Sequence, residues 1–176
     1  MHSERSATPV DTPERLIERF ALEPHPEGGF YREVYRSRLT LQHPVAAAGA
    51  PAERAASTLI YYLLLEGQFS AWHRVRGSDE VWHLYAGGPL ELHTIDGEGR
   101  HTLTLLSADF TRGEPTGVVA PGDWQAARPA AGASFAFVGC TVSPGFDFAD
   151  FEMPPRATLL ARYPGHAALM RALTRD

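Results

Sequence analysis

A histidine and a glutamate, His73 and Glu80, flank the turn-forming run 77–79, and the residues on either side of the turn favour β-structure. Strand side chains alternate between faces, so His73 shares a face with Val75, and Glu80 shares a face with Trp82 on the returning strand. The sequence therefore predicts a hairpin that brings an imidazole and a carboxylate into one concavity. Such a pair can transfer a proton, because histidine titrates near neutral pH and a neighbouring carboxylate selects its tautomer and raises its pKa.

Metal-free acid/base catalysis on a small polar ligand is one function that this pair supports. His73 would be the base that removes a proton next to a carbonyl, and Glu80 would orient it. A phenol, either Tyr31 or Tyr62, would return a proton to the opposite face of the ligand.

Composition limits the alternatives. A chain of 176 residues with 44% hydrophobic and 21% charged residues suits one folded domain. The net charge of -5 argues against a nucleic-acid-binding surface, which needs clustered basic residues. Every basic residue is arginine, so lysine Schiff-base chemistry and a lysine-containing phosphate loop are excluded. The single cysteine, Cys140, forms no internal disulfide, and no apolar run is long enough to cross a membrane, so we expect a cytoplasmic protein.

The pattern of turns predicts one mainly β domain over residues 11–176, after a flexible tail over 1–10. Asp11 to Glu14 contains a helix cap followed by proline, which predicts a short helix to about Leu22. Residues 40–57 are expected to be a loop, and the chain after Pro154 is expected to be helical with a break at Pro164. Short stretches of β-forming residues predict strands at about 30–37, 58–65, 69–76, 80–86, 89–95, 101–106, 116–120, 124–128 and 133–142.

Three motifs give this chain a family resemblance: HPEGGFYRE at 25–33, FSAWHR at 69–74 with DEVWH at 79–83, and CTVSPGF at 140–146. Together they resemble the uncharacterised cupin-5 family of the cupin superfamily. The resemblance implies a cupin jelly-roll β-barrel with a short N-terminal helix and C-terminal helices, which usually forms a homodimer. It also implies kinship in fold with dTDP-sugar epimerases and cupin sugar isomerases, but it implies no known reaction. If the protein is an enzyme, we expect a sugar epimerase or sugar-phosphate isomerase that uses the His/Glu pair.

The usual cupin site binds a metal through three imidazoles and a carboxylate. His73 and Glu80 match the first histidine and the glutamate of that set, whereas Val75 stands where the second histidine belongs and Gln125 stands in place of the last. We therefore expect no cofactor, and a divalent metal bound by His73, Glu80 and Gln125 is the alternative.

The expected partner is a small polar or anionic metabolite, bound with or without turnover, and neither nucleic acid nor a membrane is expected. A non-catalytic binding protein and a metal-dependent enzyme with a reduced ligand set stay open as alternatives. Arg32 or Arg74 would pair with a phosphate or carboxylate of the ligand. Asp147 and Asp150 would close the mouth, and one of them is the alternative to Glu80 as the carboxylate partner of His73. The predicted ligand-binding residues are Glu27, Tyr31, Arg32, Glu33, Ser70, Arg74, Trp82 and Gln125.

Overall fold

The computed structural model describes residues 12–43 and 53–175, so the predicted tail over 1–10 and part of the predicted loop over 40–57 lie outside it. The predicted N-terminal helix is present as α1, Pro13–Phe20. The side chain of Thr12 accepts a hydrogen bond from the backbone N–H of Arg15, and proline occupies the first turn. Both features favour helix initiation, as the sequence indicated.

The predicted strands are all present, with ends that differ by one or two residues. Short strands were missed on either side of residues 44–52, where the sequence predicted only a loop. In chain order the strands are β1 Glu23–Pro24, β2 Phe30–Arg36, β3 Thr40–Gln42, β4 Glu53–Ala55, β5 Thr58–Leu65, β6 Ser70–Val75, β7 Asp79–Gly87, β8 Leu90–Ile95, β9 His101–Leu106, β10 Thr116–Val119, β11 Trp124–Pro129, β12 Phe135–Ser143 and β13 Phe151–Glu152.

Two antiparallel sheets face each other in a jelly-roll arrangement. One has the strand order β1-β2-β5-β12-β7-β10, the other has the order β13-β6-β11-β8-β9, and β3 and β4 form a separate ribbon. The predicted jelly roll is confirmed. Within the described residues, however, no ladder of paired strands joins the two sheets into a closed barrel.

The hairpin predicted around residues 77–79 is wrong. β6 pairs with β11 and β13, whereas β7 pairs with β12 and β10, so the turn carries the chain from one sheet to the facing sheet. His73 and Glu80 still face the same space, because both side chains point between the sheets.

Strand alternation divides the apolar residues into three layers, one between the sheets and one on the outer face of each sheet. Inward residues such as Tyr62, Leu64 and Trp82 form the core between the sheets. The intervening residue Leu63 packs outward against Leu16 of α1. Apolar burial of this kind supplies most of the stabilising free energy of such a fold.

The C-terminal segment covers the outer face of the five-stranded sheet. It contains α2, Arg156–Arg162, a 3-10 turn over Pro164–His166, and α3, Ala167–Ala172. Leu159 and Met170 from these helices pack on Trp72 and Trp124. The predicted C-terminal helices with a break at Pro164 are therefore confirmed, and no helix of the described residues is long and apolar enough to cross a bilayer.

Candidate functional site

One end of the space between the sheets is open and forms a cavity of about 340 Å³. The opposite end is filled by large apolar side chains of the core. This volume suits a small metabolite. The lining comes from the loop before β2 (His25, Glu27), from the six-stranded sheet (Tyr31, Glu33, Arg36, Thr58, Ile60, Glu80, Cys140, Val142), from β6 (His73, Val75) and from the segment after β12 (Phe146, Asp147, Phe148, Phe151).

His73 is held at the floor of the cavity with only 2% of its surface exposed. Its Nδ1 lies 2.8 Å from the carbonyl oxygen of Ala71 and 3.1 Å from Oε2 of Glu27. A carbonyl oxygen only accepts, so Nδ1 carries the proton and, in the neutral ring, Nε2 has the free lone pair. Burial lowers the pKa of His73, and the Glu80 carboxylate and the Ala71 carbonyl partly offset that effect.

Glu27 is the carboxylate partner of His73, a role that the sequence analysis gave to Glu80. A tight turn over residues 25–29 projects Glu27 into the cavity, and its carbonyl oxygen accepts from the backbone N–H of Ala71, 2.9 Å away. The turn needs Gly29, whose φ is +68° and where a Cβ would lie 2.5 Å from a carbonyl oxygen of β5. Burial raises the pKa of Glu27, and His25 is the largest of the opposing influences.

His25, which begins that turn, is fixed in the tautomer opposite to that of His73. The backbone N–H of Glu27 donates to Nδ1 of His25 across 3.3 Å, so Nδ1 is unprotonated and the neutral ring carries its proton on Nε2. The ring packs edge-on against Tyr31, with centroids 4.4 Å apart. Burial lowers the pKa of His25, which favours this neutral form.

Glu80 is the terminus of a buried hydrogen-bond chain. The indole N–H of Trp82 only donates, so the Gln125 oxygen, 2.9 Å away, must face it. The Gln125 amide nitrogen then donates to Oε2 of Glu80 across 2.6 Å. Burial raises the pKa of Glu80, while His73 and hydrogen bonds from Gln125 and Cys140 lower it. In the described structure, His73 and Glu80 form no ion pair within 4.0 Å, and their interaction is longer-range electrostatic attraction.

The mouth of the cavity carries a second group of charges. Arg36 donates from Nε and from a terminal nitrogen to the two carboxylate oxygens of Glu33, across 2.9 and 2.7 Å. The same terminal nitrogen also donates to the carbonyl oxygen of Phe146, 3.2 Å away. A register shift between Glu33 and Tyr35 disturbs the alternation of β2, so that Glu33 and Arg36 both line the cavity.

The structure brings together five of the predicted site residues along the cavity wall: Glu27, Tyr31, Glu33, His73 and Glu80. Four others are buried directly behind that wall: Tyr62, Ser70, Trp82 and Gln125. The Tyr62 hydroxyl donates to the carbonyl oxygen of Gly28 across 2.6 Å, so Tyr62 supports the turn that carries Glu27. Ser70 lies beside Glu27 and Tyr62. Burial raises the pKa of both groups, and the Ser70 hydroxyl offsets a small part of that rise.

The two predicted anion-binding arginines point away from the cavity. Arg32 follows Tyr31 and is exposed on the opposite face of β2. Arg74 follows His73 on the outer face of β6, where it pairs with Glu152 at 2.6 Å and lies over the Trp124 ring. Both assignments overlooked that neighbours of inward residues on a strand must face outward.

The prediction for the aspartates after β12 was partly wrong. Asp147 lines the mouth, but neither it nor Asp150 pairs with His73. Asp150 is buried and pairs with Arg54, whose Nε lies 2.7 Å from Oδ2, and with His43 at 3.6 Å. His43 is therefore a buried residue that anchors the segment above the cavity.

The residues present do not fit the metal centre that the resemblance implies. Val75 offers no donor at the position of the second histidine, and the carbonyl oxygen of Gln125 is turned towards Trp82. The amide nitrogen that faces Glu80 is not a metal ligand. Over residues 12–43 and 53–175, no group of three or more His, Cys, Asp or Glu side chains is arranged to hold an ion.

No role in the site was predicted for His25, Arg36, Cys140 or the three phenylalanines of the mouth. Alternation along β12 would have placed Cys140 inward with Val142, and His25 begins the motif that contains Glu27. The signal for Arg36 was absent, because the bulge in β2 that turns it inward follows from tertiary packing.

Comparison with known proteins agrees with this architecture. The chain is 36% identical to a hypothetical protein from Leishmania major, with 94% of this chain and 100% of that chain covered and a TM-score of 0.85. A protein from Shewanella oneidensis is 38% identical, with coverage of 95% and 99% and a TM-score of 0.82. An uncharacterized protein of Saccharomyces cerevisiae is 28% identical over 152 residues, which are 81% of this chain and 75% of that protein. The family described as Cupin_5, Cupin superfamily (DUF985), matches residues 14–154. The protein therefore belongs to the Cupin_5 family of the cupin superfamily.

Proposed function

We propose that this protein catalyses metal-independent proton transfer at a carbon next to the carbonyl group of a small polar molecule, as sugar epimerases and isomerases do. One observation carries the proposal: the Nδ1–H of buried His73 is held by the Ala71 carbonyl at 2.8 Å and by Glu27 at 3.1 Å. This leaves the Nε2 lone pair of a neutral imidazole for the ligand. Among the described residues, none donates a hydrogen bond to that nitrogen.

His25 complements His73 because the main chain fixes the two rings in opposite tautomers. His73 has an acceptor at Nε2, and His25 has a donor at Nε2. A base and a neutral hydrogen-bond donor in one cavity are what enolisation needs, since the developing charge on the carbonyl oxygen is stabilised by a positioned donor.

The proposed reaction begins when Nε2 of His73 removes the proton from the carbon next to the carbonyl. The C–H electron pair becomes a carbon–carbon double bond, and the carbonyl oxygen takes a hydrogen bond from His25. Glu27 stabilises the imidazolium through Nδ1. A proton from Tyr31, on the facing sheet, added to the opposite face of the same carbon restores the carbonyl and inverts that carbon, and solvent then takes the proton from His73 and restores that of Tyr31. Where the reacting carbon bears a hydroxyl, the hydroxyl proton passes to the former carbonyl oxygen to give an enediolate. Return of the proton from His73 to the former carbonyl carbon then leaves the carbonyl on the neighbouring carbon and isomerises the ligand.

Deuterium incorporation tests the proposal. Aldoses, ketoses and their derivatives are incubated with the protein in D₂O, with and without a chelator, and C–H exchange is followed by proton NMR. We expect a compound whose exchange is insensitive to the chelator and falls at least about 100-fold in His73→Gln, whose amide can still donate to Ala71. His101→Gln, which changes a histidine outside the cavity, is the matched control. Undiminished exchange in His73→Gln contradicts the proposal, and saturable binding without any exchange favours a binding protein.

We also propose that two copies of the chain pair along β2. Beyond Phe30 and Tyr31, which β1 covers, one edge of β2 has no partner strand among the described residues. Tyr35 on β2 is 53% exposed and Leu39 beside β3 is 73% exposed. Free edges and exposed apolar side chains favour association. Light scattering of the wild type and of Leu39→Asp tests this pairing, and a wild-type monomer would contradict it.

A further inference from the structure

The mouth of the cavity has an excess of negative charge. Glu33 and Asp147 line it, and Arg36 is the one arginine of the described residues that does so. The charge of Arg36 is paired with Glu33 through two hydrogen bonds of 2.9 and 2.7 Å, and Asp147 also attracts Arg36 electrostatically. These three side chains give the mouth a net charge of minus one, in front of the buried carboxyl groups of Glu27 and Glu80. Arg54 also attracts Asp147, but its own hydrogen-bonded carboxylate is Asp150.

Asp147 has one carboxylate oxygen available. Its Oδ1 accepts a hydrogen bond from the backbone N–H of Ala149 across 2.8 Å, which caps the following 3-10 turn. Within the described part of the chain, no group donates to Oδ2. The carboxylate of this cavity-lining residue therefore stays in place through its cap and keeps one oxygen open as an acceptor.

Three aromatic rings stand beside that carboxylate. Phe146 and Phe148 have ring centroids 5.0 Å apart, and Phe151 lies 6.0 and 5.9 Å from them. The planes meet at 81°, 69° and 77°, so the three rings are nearly perpendicular to one another. All three line the cavity, and β13 holds Phe151 there by pairing it with Val75 of β6.

We propose that the ligand of this cavity carries an organic ammonium group at its outer end, bound by Asp147 and the faces of Phe146, Phe148 and Phe151. Perpendicular aromatic walls with a carboxylate attract a weakly hydrated cation through the ring quadrupoles and the opposite charge. The inference deepens the proposed function and rests on it for the inner end of the ligand, where the carbonyl would meet His73. An aminated carbonyl compound is the substrate class that satisfies both ends.

The same charges disfavour a phosphorylated ligand. A phosphate at the mouth would meet Asp147 and would compete with Glu33 for Arg36. A phosphate bound to Arg36 would break the charge-assisted bidentate pair between Arg36 and Glu33. This loss offsets the free energy that the phosphate gains from Arg36. The anionic metabolite allowed by the sequence is therefore the less favourable alternative at this end of the cavity.

Calorimetric titration of the full chain tests the inference with three probes. Choline supplies the cation, 3,3-dimethylbutan-1-ol supplies the same shape without charge, and inorganic phosphate supplies the anion. We expect saturable choline binding at least tenfold tighter than binding of the alcohol, and no saturable phosphate binding. Asp147→Asn, which keeps the cap of the 3-10 turn, and Phe148→Ala should each weaken choline about tenfold. Glu18→Gln and Phe110→Ala are the matched controls for charge and for an exposed ring.

Equal affinities for choline and the alcohol, tighter phosphate binding, or no choline binding would each overturn the inference. The wild type separates it from the proposed function, because choline binding and deuterium exchange are measured independently of each other. Choline binding does not require proton abstraction by His73. If the wild type binds choline more tightly than the alcohol but catalyses no deuterium exchange, the ammonium site is supported and the catalytic role of His73 is refuted.

Discussion

Replacing Gln125 by glutamate puts a second carboxyl group directly against Glu80. One oxygen of the new side chain can still accept from the indole N–H of Trp82, which lies 2.9 Å from the present amide oxygen. The other must take the place of the amide nitrogen, 2.6 Å from Oε2 of Glu80. Two carboxylates at that separation either repel or share a proton.

The loss of stability is set by whichever costs less free energy, repulsion between the two carboxylates or retention of a proton. Repulsion at 2.6 Å is roughly 6 kcal/mol with an effective dielectric constant of about 20. Retaining a proton instead costs about 1.4 kcal/mol for each pH unit above the ordinary glutamate pKa of about 4.3. At pH 7 that is roughly 4 kcal/mol, so the pair protonates. A carboxyl group whose pKa is raised in the folded state destabilises that state at pH values above its unfolded pKa. Gln125→Glu should therefore lose stability as the pH rises, and its stability should approach that of the wild type near pH 4.5.

Urea unfolding from pH 4.5 to 8 measures this difference, with wild type and variant compared at each pH. Gln68→Glu is the matched control, because its side-chain oxygen already accepts from the backbone N–H of Leu65 and is not opposed by a buried carboxylate. We expect the control to stay within about 0.5 kcal/mol of the wild type. A pH-independent difference for Gln125→Glu, or one below about 1 kcal/mol at pH 7, would contradict the hydrogen-bond chain from Trp82 through Gln125 to Glu80.

Two further changes have a defined sign. Because Glu80 raises the pKa of His73, Glu80→Gln should lower that pKa, so the acidic limb of the exchange-rate profile moves to lower pH; an upward movement would show that the interaction is not electrostatic. Asp150→Asn leaves the guanidinium of Arg54 buried without its carboxylate at 2.7 Å, and we expect a loss of about 3–5 kcal/mol in urea unfolding. Arg100→Gln breaks exposed ion pairs and should cost less than about 1 kcal/mol, so similar losses in both variants would contradict the assigned burial.

Most of the fold could be predicted because its signals are local. The strand from Thr58 to Leu65 and the strand at Phe135–Ser143 are apolar β-forming stretches bounded by turn residues, and the structure has them at nearly the predicted positions. The ribbon of β3 and β4 was missed since its residues are largely exposed and give no alternating apolar pattern. The turn at 77–79 was placed correctly, but strand pairing depends on distant strands, and the predicted hairpin was a corner between sheets.

The candidate site could be predicted only in part. His73 and Glu80 were found as cavity residues because strand alternation fixes their faces. The predicted direct contact between them was wrong, because Glu27 reaches His73 from a turn that is distant in sequence. No local sequence pattern indicates such a contact. Asp150 was available as a partner by charge, but the buried guanidinium of Arg54 holds it.

The proposed chemistry requires the main chain to hold His73 and His25 as neutral rings of opposite tautomer, so that one is a base and the other a donor. Long-range proton–nitrogen NMR of imidazole-labelled protein at pH 7.5 tests it directly, with His73→Gln and His25→Gln for assignment. We expect a proton on Nδ1 of His73 and on Nε2 of His25. A proton on Nε2 of His73, or an imidazolium at that pH, would contradict it, because the lone pair needed to remove a proton from the ligand would be absent.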